Sequence, residues 1–461
     1  MTDTILVDFR GTGSGTGELT WGQRTVWRVV AKTGRAETMG GIVALPPGST
    51  AGDAVTVLRY VMGRHQSLRT RLSFDAADGG PRQRVSESGQ IALEVVEAGA
   101  EDPAAVADRV KKAYEDKDFD HEHEWPVRMA VVVTGSADGV AVADRRATHS
   151  VAVYNHLNID AHGLEALVAD LSTMDPATGE PTAELTATQP LELAAQQRQP
   201  AVLRNSDAAL RYWERVLRTV SAKRVDGTAD ETRSPRWGEV EFTSPASLLA
   251  TRAVAARIGT DTSPVLLAAY ATALARTIGN NPVAVQIAVN NRFRQSLLGS
   301  VCTMAQTCPL LLDVAGATFD EAVHRARQAT MVTYKYAYHD PERRAAMVAA
   351  VAEDLGGPVE MDTYFNDRRP PAREERAIVA PSAAEIEAAV GRGGHEWVRW
   401  DDVDGALLYL DVDDVPDAIR FTLTGDTHRA SPDELVGLLR EIETVLVAAA
   451  LDPGASTGVP S

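Results

Sequence analysis

Cysteine is nearly absent: the 461 residues hold two, Cys302 and Cys308. Two thiols cannot build a disulfide framework or a four-ligand zinc site, so no metal is expected and a reducing cytoplasm is the expected home. Long apolar runs are missing too. No stretch of about 18 apolar residues occurs, which excludes a membrane-spanning helix. Asp3 and Asp8 flank a short apolar run at Ile5–Val7, which is not the pattern of a secretory signal. Positive charge is scarce: 46 Lys and Arg stand against 64 Asp and Glu, a formal net charge of −18. Such a surface repels nucleic acid and anionic lipid, so neither is an expected partner. The glycines at 11, 13, 15 and 17 are not followed by Gly-Lys-Ser/Thr and lack the spacing of a dinucleotide fingerprint. They predict a flexible turn, not a phosphate cradle.

What is present is an ordinary globular balance, 44% hydrophobic and 24% charged, in a chain long enough for two or three packed units. Thr4–Phe9 reads as a strand, and a helix starts at Thr20. Ala54, Val57, Leu58 and Val61 share one face of a helix over Ala51–Arg64. Asp102–Tyr114 is a further predicted helix, Val127–Val133 a strand, Thr148–Ile159 strand-like, and His162–Met174 helical. Residues 175–205 are rich in Pro, Thr, Gln and Ala, with prolines at 176, 181, 190 and 200, and predict a crossing linker. Beyond it the alternation resumes with helices at Ala208–Leu217, Pro264–Thr277, Phe319–Tyr336 and Pro432–Ala450. Strands are predicted at Gly238–Phe242, Val283–Val289 and Leu310–Val314, with a strand pair at Leu407–Val412 and Ala418–Thr424. The expected organisation is an N-terminal lobe over 1–185, a linker over 186–205 and a C-terminal lobe over 206–461, each mixing strands and helices: an α/β (α+β) protein, expected as a monomer.

Among ten histidines, His156 closes the apolar run that begins at Val151, and Asp160 follows four residues later ahead of a helix. A strand that apolar is buried, and an imidazole at its end sits where a sheet edge opens. Imidazole titrates near neutrality and is the usual general base there. Two readings stand at this point: a general base at a cleft, or a satisfied core histidine.

Asn155-His156-Leu157-Asn158-Ile159-Asp160-Ala161 resembles the His-His-x-x-x-Asp-Gly signature of the nonribosomal peptide synthetase condensation domains, within the chloramphenicol acetyltransferase-like superfamily of coenzyme A-dependent acyltransferases. Other segments resemble the family's motifs in order. Thr20-Trp21-Gly22-Gln23-Arg24 with Trp27 is similar to Ser-x-Ala-Gln-x-Arg-Leu-Trp, and Arg64–Leu72 to Arg-His-Glu-x-Leu-Arg-Thr-x-Phe. Tyr212-Trp213 matches a Tyr-Trp pair after the linker, and Asn291-Arg292 a Gly-Arg pair. Leu298–Met304 is similar to Ile-Gly-x-Phe-Val-Asn-Thr, and Tyr336–Pro341 to Tyr-Ala-His-Gln-Asp-x-Pro. Tyr364-Phe365-Asn366 falls near the last motif. The resemblance covers almost the whole chain, with no carrier-protein Gly-Gly-x-Ser site, since Gly393-Gly394-His395-Glu396 lacks the serine.

The resemblance implies two chloramphenicol acetyltransferase-like lobes forming a V-shaped pseudo-dimer with a central tunnel, and a free-standing acyltransferase that joins an acyl thioester to an amine in secondary-metabolite biosynthesis. The thioester would ride on the phosphopantetheine arm of an acyl or peptidyl carrier protein, or on coenzyme A, as substrate rather than bound cofactor. His156 takes the catalytic position, positioning or deprotonating the small-molecule amine. Asp160 takes the structural position and pairs with an arginine, Arg292 the first choice and Arg69 the second. Asn155 replaces the first histidine of the signature, where an amide still bonds a backbone. Ala161 replaces the glycine, its methyl expected to narrow the acceptor channel, with His162, Gly163, Cys302 and Thr303 as further tunnel residues. A hydroxyl acceptor, giving an ester, and a non-catalytic platform that recruits another enzyme are the alternatives.

The remaining candidates read more plainly. His121, Glu122, His123 and Glu124 predict an exposed loop rather than a metal cluster, because alternate side chains diverge in extended chain. Cys302 and Cys308, with no histidine adjoining them, predict small core residues. Arg368, Arg369 and Arg373 form a basic cluster on an acidic chain, read as a solvated loop or a docking patch for an acidic carrier.

Overall fold

The structure is a computed structural model that describes residues 2–75, 80–135, 139–220, 232–359, 361–369, 380–403 and 405–461. The chain forms two compact units: the first holds residues 1–204 and 290–305, the second 205–289 and 306–461. Chain contacts therefore assign 290–305, read from sequence as part of a contiguous C-terminal lobe, to the first unit.

The elements up to the end of the predicted linker are β1 (Thr2–Arg10), β2 (Gly15–Glu18), α1 (Trp21–Thr33), β3 (Thr38–Ala44), α2 (Ala51–Arg64), β4 (Thr70–Ser73), β5 (Arg82–Val85), β6 (Ser88–Glu97), α3 (Pro103–Glu115), β7 (Val127–Thr134), β8 (Arg146–Asn155), α4 (Ala161–Leu171) and α5 (Pro190–Gln197). Two of them correct the sequence reading. Gly15–Glu18 pairs antiparallel with β5, so half of the glycine run is a strand and not a flexible turn. The linker prolines start helices: Pro190 is the first residue of α5, and α6 (Pro200–Thr219) opens at Pro200. Proline lacks only an N–H that no first turn uses, and its fixed φ suits that position.

Five strands form a sheet in the order β1-β6-β7-β8-β3, and three more form a small sheet, β2-β5-β4. Strand β7 lies at the centre of the larger sheet, and its apolar run has a plain cause. Val127, Met129, Val131 and Val133 join the core under α2, while Ala130 and Val132 face Val106, Ala107 and Tyr114 of α3. A strand covered on both faces has no polar side to show.

A half-buried polar knot then ties α2 to α4. Arg64 Nε donates to Asp170 Oδ2 at 2.6 Å, His65 Nε2 at 3.0 Å and Tyr60 Oη at 3.3 Å. Burial alone would raise the Asp170 carboxyl, but the bonds from His65 and Arg64 hold it well below the usual carboxylate range.

The second unit holds β9 (Trp237–Ser244), α7 (Pro245–Ile258), α8 (Thr262–Ile278), β10 (Val283–Val289), then, after the excursion of 290–305 with its short α9 (Gln295–Leu298), β11 (Gln306–Leu312), α10 (Phe319–Lys335), α11 (Pro341–Asp354), β12 (Thr363–Asp367), α12 (Ala383–Ala389), β13 (Gly394–Asp401), β14 (Leu408–Val415), β15 (Ala418–Asp426) and α13 (Pro432–Leu451). Its seven strands run β11-β10-β12-β14-β15-β9-β13, with β12 parallel to both neighbours and the rest antiparallel. Helix α8 is apolar all round because it is buried from Val265 to Ala275. Among the described residues no helix is long and apolar enough to cross a membrane.

The knot at Asp170 makes stability pH-dependent. A carboxyl depressed in the folded state adds stability above its unfolded pKa of about 3.9, and that gain is lost as pH falls. Asp170→Asn is expected to lower the unfolding free energy by about 2 kcal/mol at pH 7, and the gap to wild type to close as urea melts are repeated below pH 4. A constant gap would show that the charge is not what holds α2 to α4.

Candidate functional site

The turn between β8 and α4 is built from the outside in. Strand β8 ends at Asn155, whose carbonyl accepts from the Asn158 N–H at 2.9 Å and whose side-chain Oδ1 accepts from the Leu157 N–H at 3.0 Å. The buried Asn158 amide donates to the Ser67 carbonyl at 3.0 Å. His156 stands at the crest of this turn, half-buried. Its main chain is gripped on both sides: its N–H donates to the Glu37 carbonyl at 3.0 Å, and its carbonyl accepts from Thr303 Oγ1 at 2.5 Å.

The ring is set as well. His156 Nδ1 lies 2.9 Å from the Ile159 carbonyl oxygen. A carbonyl only accepts, so Nδ1 carries the proton, and in the neutral ring Nε2 presents a lone pair. A turn that fixes the tautomer and leaves Nε2 as acceptor is an arrangement for taking a proton.

Beneath the histidine lies a buried ion pair. Asp160 and Arg292 side chains are each 3% exposed, with Arg292 Nη2 2.8 Å from Asp160 Oδ1 and Nη1 2.9 Å from Oδ2. The carboxylate also caps α4 through the Gly163 N–H at 2.7 Å and accepts the Met304 and Ala305 N–H groups at 2.9 Å each. Burial would raise this carboxyl, but Arg292 and the backbone donors hold it below the usual range. Arg292 Nη2 also reaches the carbonyls of Ser300 at 3.2 Å and Cys302 at 2.8 Å, and Nη1 that of Asn290 at 3.3 Å. One pair thus fixes the start of α4 and the backbone from 300 to 305, which carries Thr303 to His156.

Two glycines make the approach possible. A Cβ on Gly22 of α1 would come within 2.1 Å of the Thr303 carbonyl oxygen, and one on Gly163 within 2.9 Å of the Cys302 carbonyl oxygen. Backbone fills both places.

Several sequence readings are corrected. Arg69 does not reach Asp160: its guanidinium donates to the Ser86 carbonyl at 2.5 Å and to the Thr12 carbonyl. Cys302 and Thr303 are each 1% exposed and Gly163 is buried, so all three support the turn instead of lining a passage. Burial pushes the Cys302 thiol up to about 12, which makes it inert, and the Cys308 thiol is raised by the same cause. Ala161 is an exposed first residue of α4, where helical backbone needs no glycine; His162 follows, half-buried. Arg368 pairs with Asp413 and lies 3.4 Å from Asp411, and Arg369 pairs with Asp367 at 2.7 Å, so their charge is largely taken up within the unit. Arg373 lies outside the described residues.

Sequence reasoning missed His121. Its loop is not simply exposed: the ring is half-buried, edge-on to Trp27 at 5.7 Å, with Nδ1 2.9 Å from Asn155 Nδ2. Spacing in sequence gave no sign of this, since 34 residues separate the two.

Removing Arg292 strands a buried carboxylate. Arg292→Ala is expected to cost about 3–5 kcal/mol in urea unfolding, and Arg292→Lys to recover only a fraction, because one ammonium cannot reach the carboxylate and both carbonyls at once. A variant as stable as wild type would remove the pair from the centre of this site.

Comparison with known proteins adds the family context. A family model described as the condensation domain matches residues 54–342. Over 285 residues the chain is 26% identical to cyclosporin synthetase simA of Tolypocladium inflatum, which covers 59% of this chain and only 2% of that much longer one. Among solved structures, the chain resembles one showing condensation domain-mediated chain release from the enacyloxin polyketide synthase, with a TM-score of 0.73 and 21% identity over 97% of this chain and 86% of that one. The X-domain from teicoplanin biosynthesis superposes with a TM-score of 0.69 and 16% identity, covering 98% and 99%.

Proposed function

This chain belongs to the condensation-domain family, and from that premise we propose that it is an acyltransferase that joins an acyl thioester to an amine. The observation that carries the reading is the His156 ring, tethered at Nδ1 to the Ile159 carbonyl and free to accept at Nε2.

In the proposed reaction the amine nitrogen adds to the thioester carbonyl carbon and the C–S bond breaks. The proton released from nitrogen passes to His156 Nε2 and from there to the departing sulfur, which leaves as a thiol. Most of the acceleration comes from holding the two partners together, with the imidazole positioning the nitrogen and collecting its proton. Asp160 and Arg292 do not touch the reactants; they hold the turn. The thioester arm is proposed to be the phosphopantetheine of a carrier protein or coenzyme A, since the relatives sharing this fold come from synthetases of the nonribosomal peptide and polyketide kinds.

A second reading has its own observation. The X-domain, which shares this fold, has been solved in complex with OxyB from teicoplanin biosynthesis, and a recruiting platform needs no catalytic imidazole. The fixed tautomer of His156 favours catalysis, because a docking surface gains nothing from a prepared lone pair.

His156→Ala separates the two. Intact-mass monitoring of acyl-loaded carrier protein with candidate amines, and of acyl-coenzyme A in parallel, is expected to show transfer reduced at least about 100-fold in the variant, with an unchanged melting temperature. An alanine variant that is well folded and fully active overturns the acyltransferase mechanism. Paired amine and alcohol acceptors in the same assay decide between amide and ester formation.

A further inference from the structure

The orientation of the Asn155 side chain can be deduced from its neighbours. The Leu157 N–H points at one end of the amide, so that end is the oxygen. The NH2 group therefore faces His121 Nδ1 at 2.9 Å. A donor on one side demands an acceptor on the other, so His121 Nδ1 bears no proton and its hydrogen is on Nε2. The amide cannot turn over, since that would set its NH2 against the Leu157 N–H.

From this relay we propose that His121 is a positioning residue for His156, acting through the Asn155 amide that shapes the turn, and that the proton state of His121 sets whether the turn is held. The proposal rests on the acyltransferase reading above for its kinetic consequence, and on geometry alone for its structural one. The ring is built in: Trp27 of α1 packs edge-on against it, and the Leu72 N–H holds its carbonyl at 2.7 Å. Beside it lies a small recess lined among others by Asn155, Leu157, Asn158 and Arg71.

Protonated, His121 would present N–H at both ring positions and repel the Asn155 NH2. Burial favours the neutral ring and pushes its pKa below the ordinary imidazole range; Asp120, Asp118 and Glu124 on its own loop oppose that shift. From the other elements, Arg71 of β4 shares the recess, and Trp27 brings no charge. Neutral His121 thus supports the turn above about pH 6.5, and that support is lost as pH falls through its lowered pKa.

The test uses the full chain and two variants. His121→Leu removes the acceptor but keeps bulk against Trp27; kcat is expected to fall about 10-fold with KM within about 2-fold of wild type. His121→Gln offers a carbonyl at every pH, so kcat at pH 8 is expected to stay within about 2-fold of wild type and the acid-side loss that follows His121 protonation to disappear. Two NMR readouts are independent of activity. In wild type the Asn155 side-chain amide resonances are expected to move with the His121 titration, and the His156 ring ¹⁵N signals to report the Nδ1–H tautomer, which is expected to lose dominance in His121→Leu. Asn155 signals indifferent to His121, or a Leu variant keeping both kcat and the tautomer, overturn the proposal. A wild-type protein that transfers no acyl group sinks the functional reading instead, and the NMR arms still judge His121.

Discussion

Everything around His156 depends on one buried pair of charges. A carboxylate taken out of water survives only if its oxygens are filled, and Asp160 receives two guanidinium N–H groups together with the backbone N–H groups of Gly163, Met304 and Ala305. These donors belong to three different pieces of chain that have to be brought in. The start of α4, the segment carrying Arg292 and the irregular run ahead of β11 are all positioned by the same two oxygens. Thr303 comes with that run, and it is Thr303 that grips the carbonyl of the histidine. The geometry of the turn proposed to be catalytic is a by-product of satisfying a buried charge.

The departures from the family signature make sense in the same terms. An amide at 155 offers one donor and one acceptor in a fixed plane. The Leu157 N–H takes the acceptor and the His121 ring takes the donor. Both ends of the side chain are used, and no charge is added next to the ion pair. At 161 an alanine occupies the first helical position, where φ is negative and any residue fits. The exchange at that position is therefore neutral for the backbone, whereas at Gly22 and Gly163 the nearest carbonyl oxygens leave no room for even a methyl.

Much of this was legible in the amino-acid sequence, and the failures have physical causes. The buried strands β7, β8 and β10 announce themselves as runs of β-branched residues, and His156 and Asp160 by their place after one of them. Arg292 was found only through a motif resemblance, because no local pattern tells an arginine that it will meet a carboxylate 132 residues away. Composition marked the linker but not the helices that begin at Pro190 and Pro200, because the same residue that breaks a helix interior begins a helix well. His121 was missed for the reason Arg292 would have been, as its partner is distant in sequence and no motif covers it. The half-strand at Gly15–Glu18 was hidden because its pairing with β5, not its own side chains, makes it a strand.

Charge is where local reading and folded reality part most clearly. Arg368 and Arg369 look like a basic island in a chain of net charge −18, yet β12 sets them beside β14, whose Asp411 and Asp413 take up the first, while Asp367 takes up the second. A guanidinium paired with carboxylates at contact distance projects little field beyond the Debye length of about 8 Å at physiological salt. Arg292 is the extreme case of this pairing, its charge wholly enclosed. At the end of β12, contact with an acidic partner would then rest on short-range fit, because Arg368 and Arg369 already face carboxylates of their own unit.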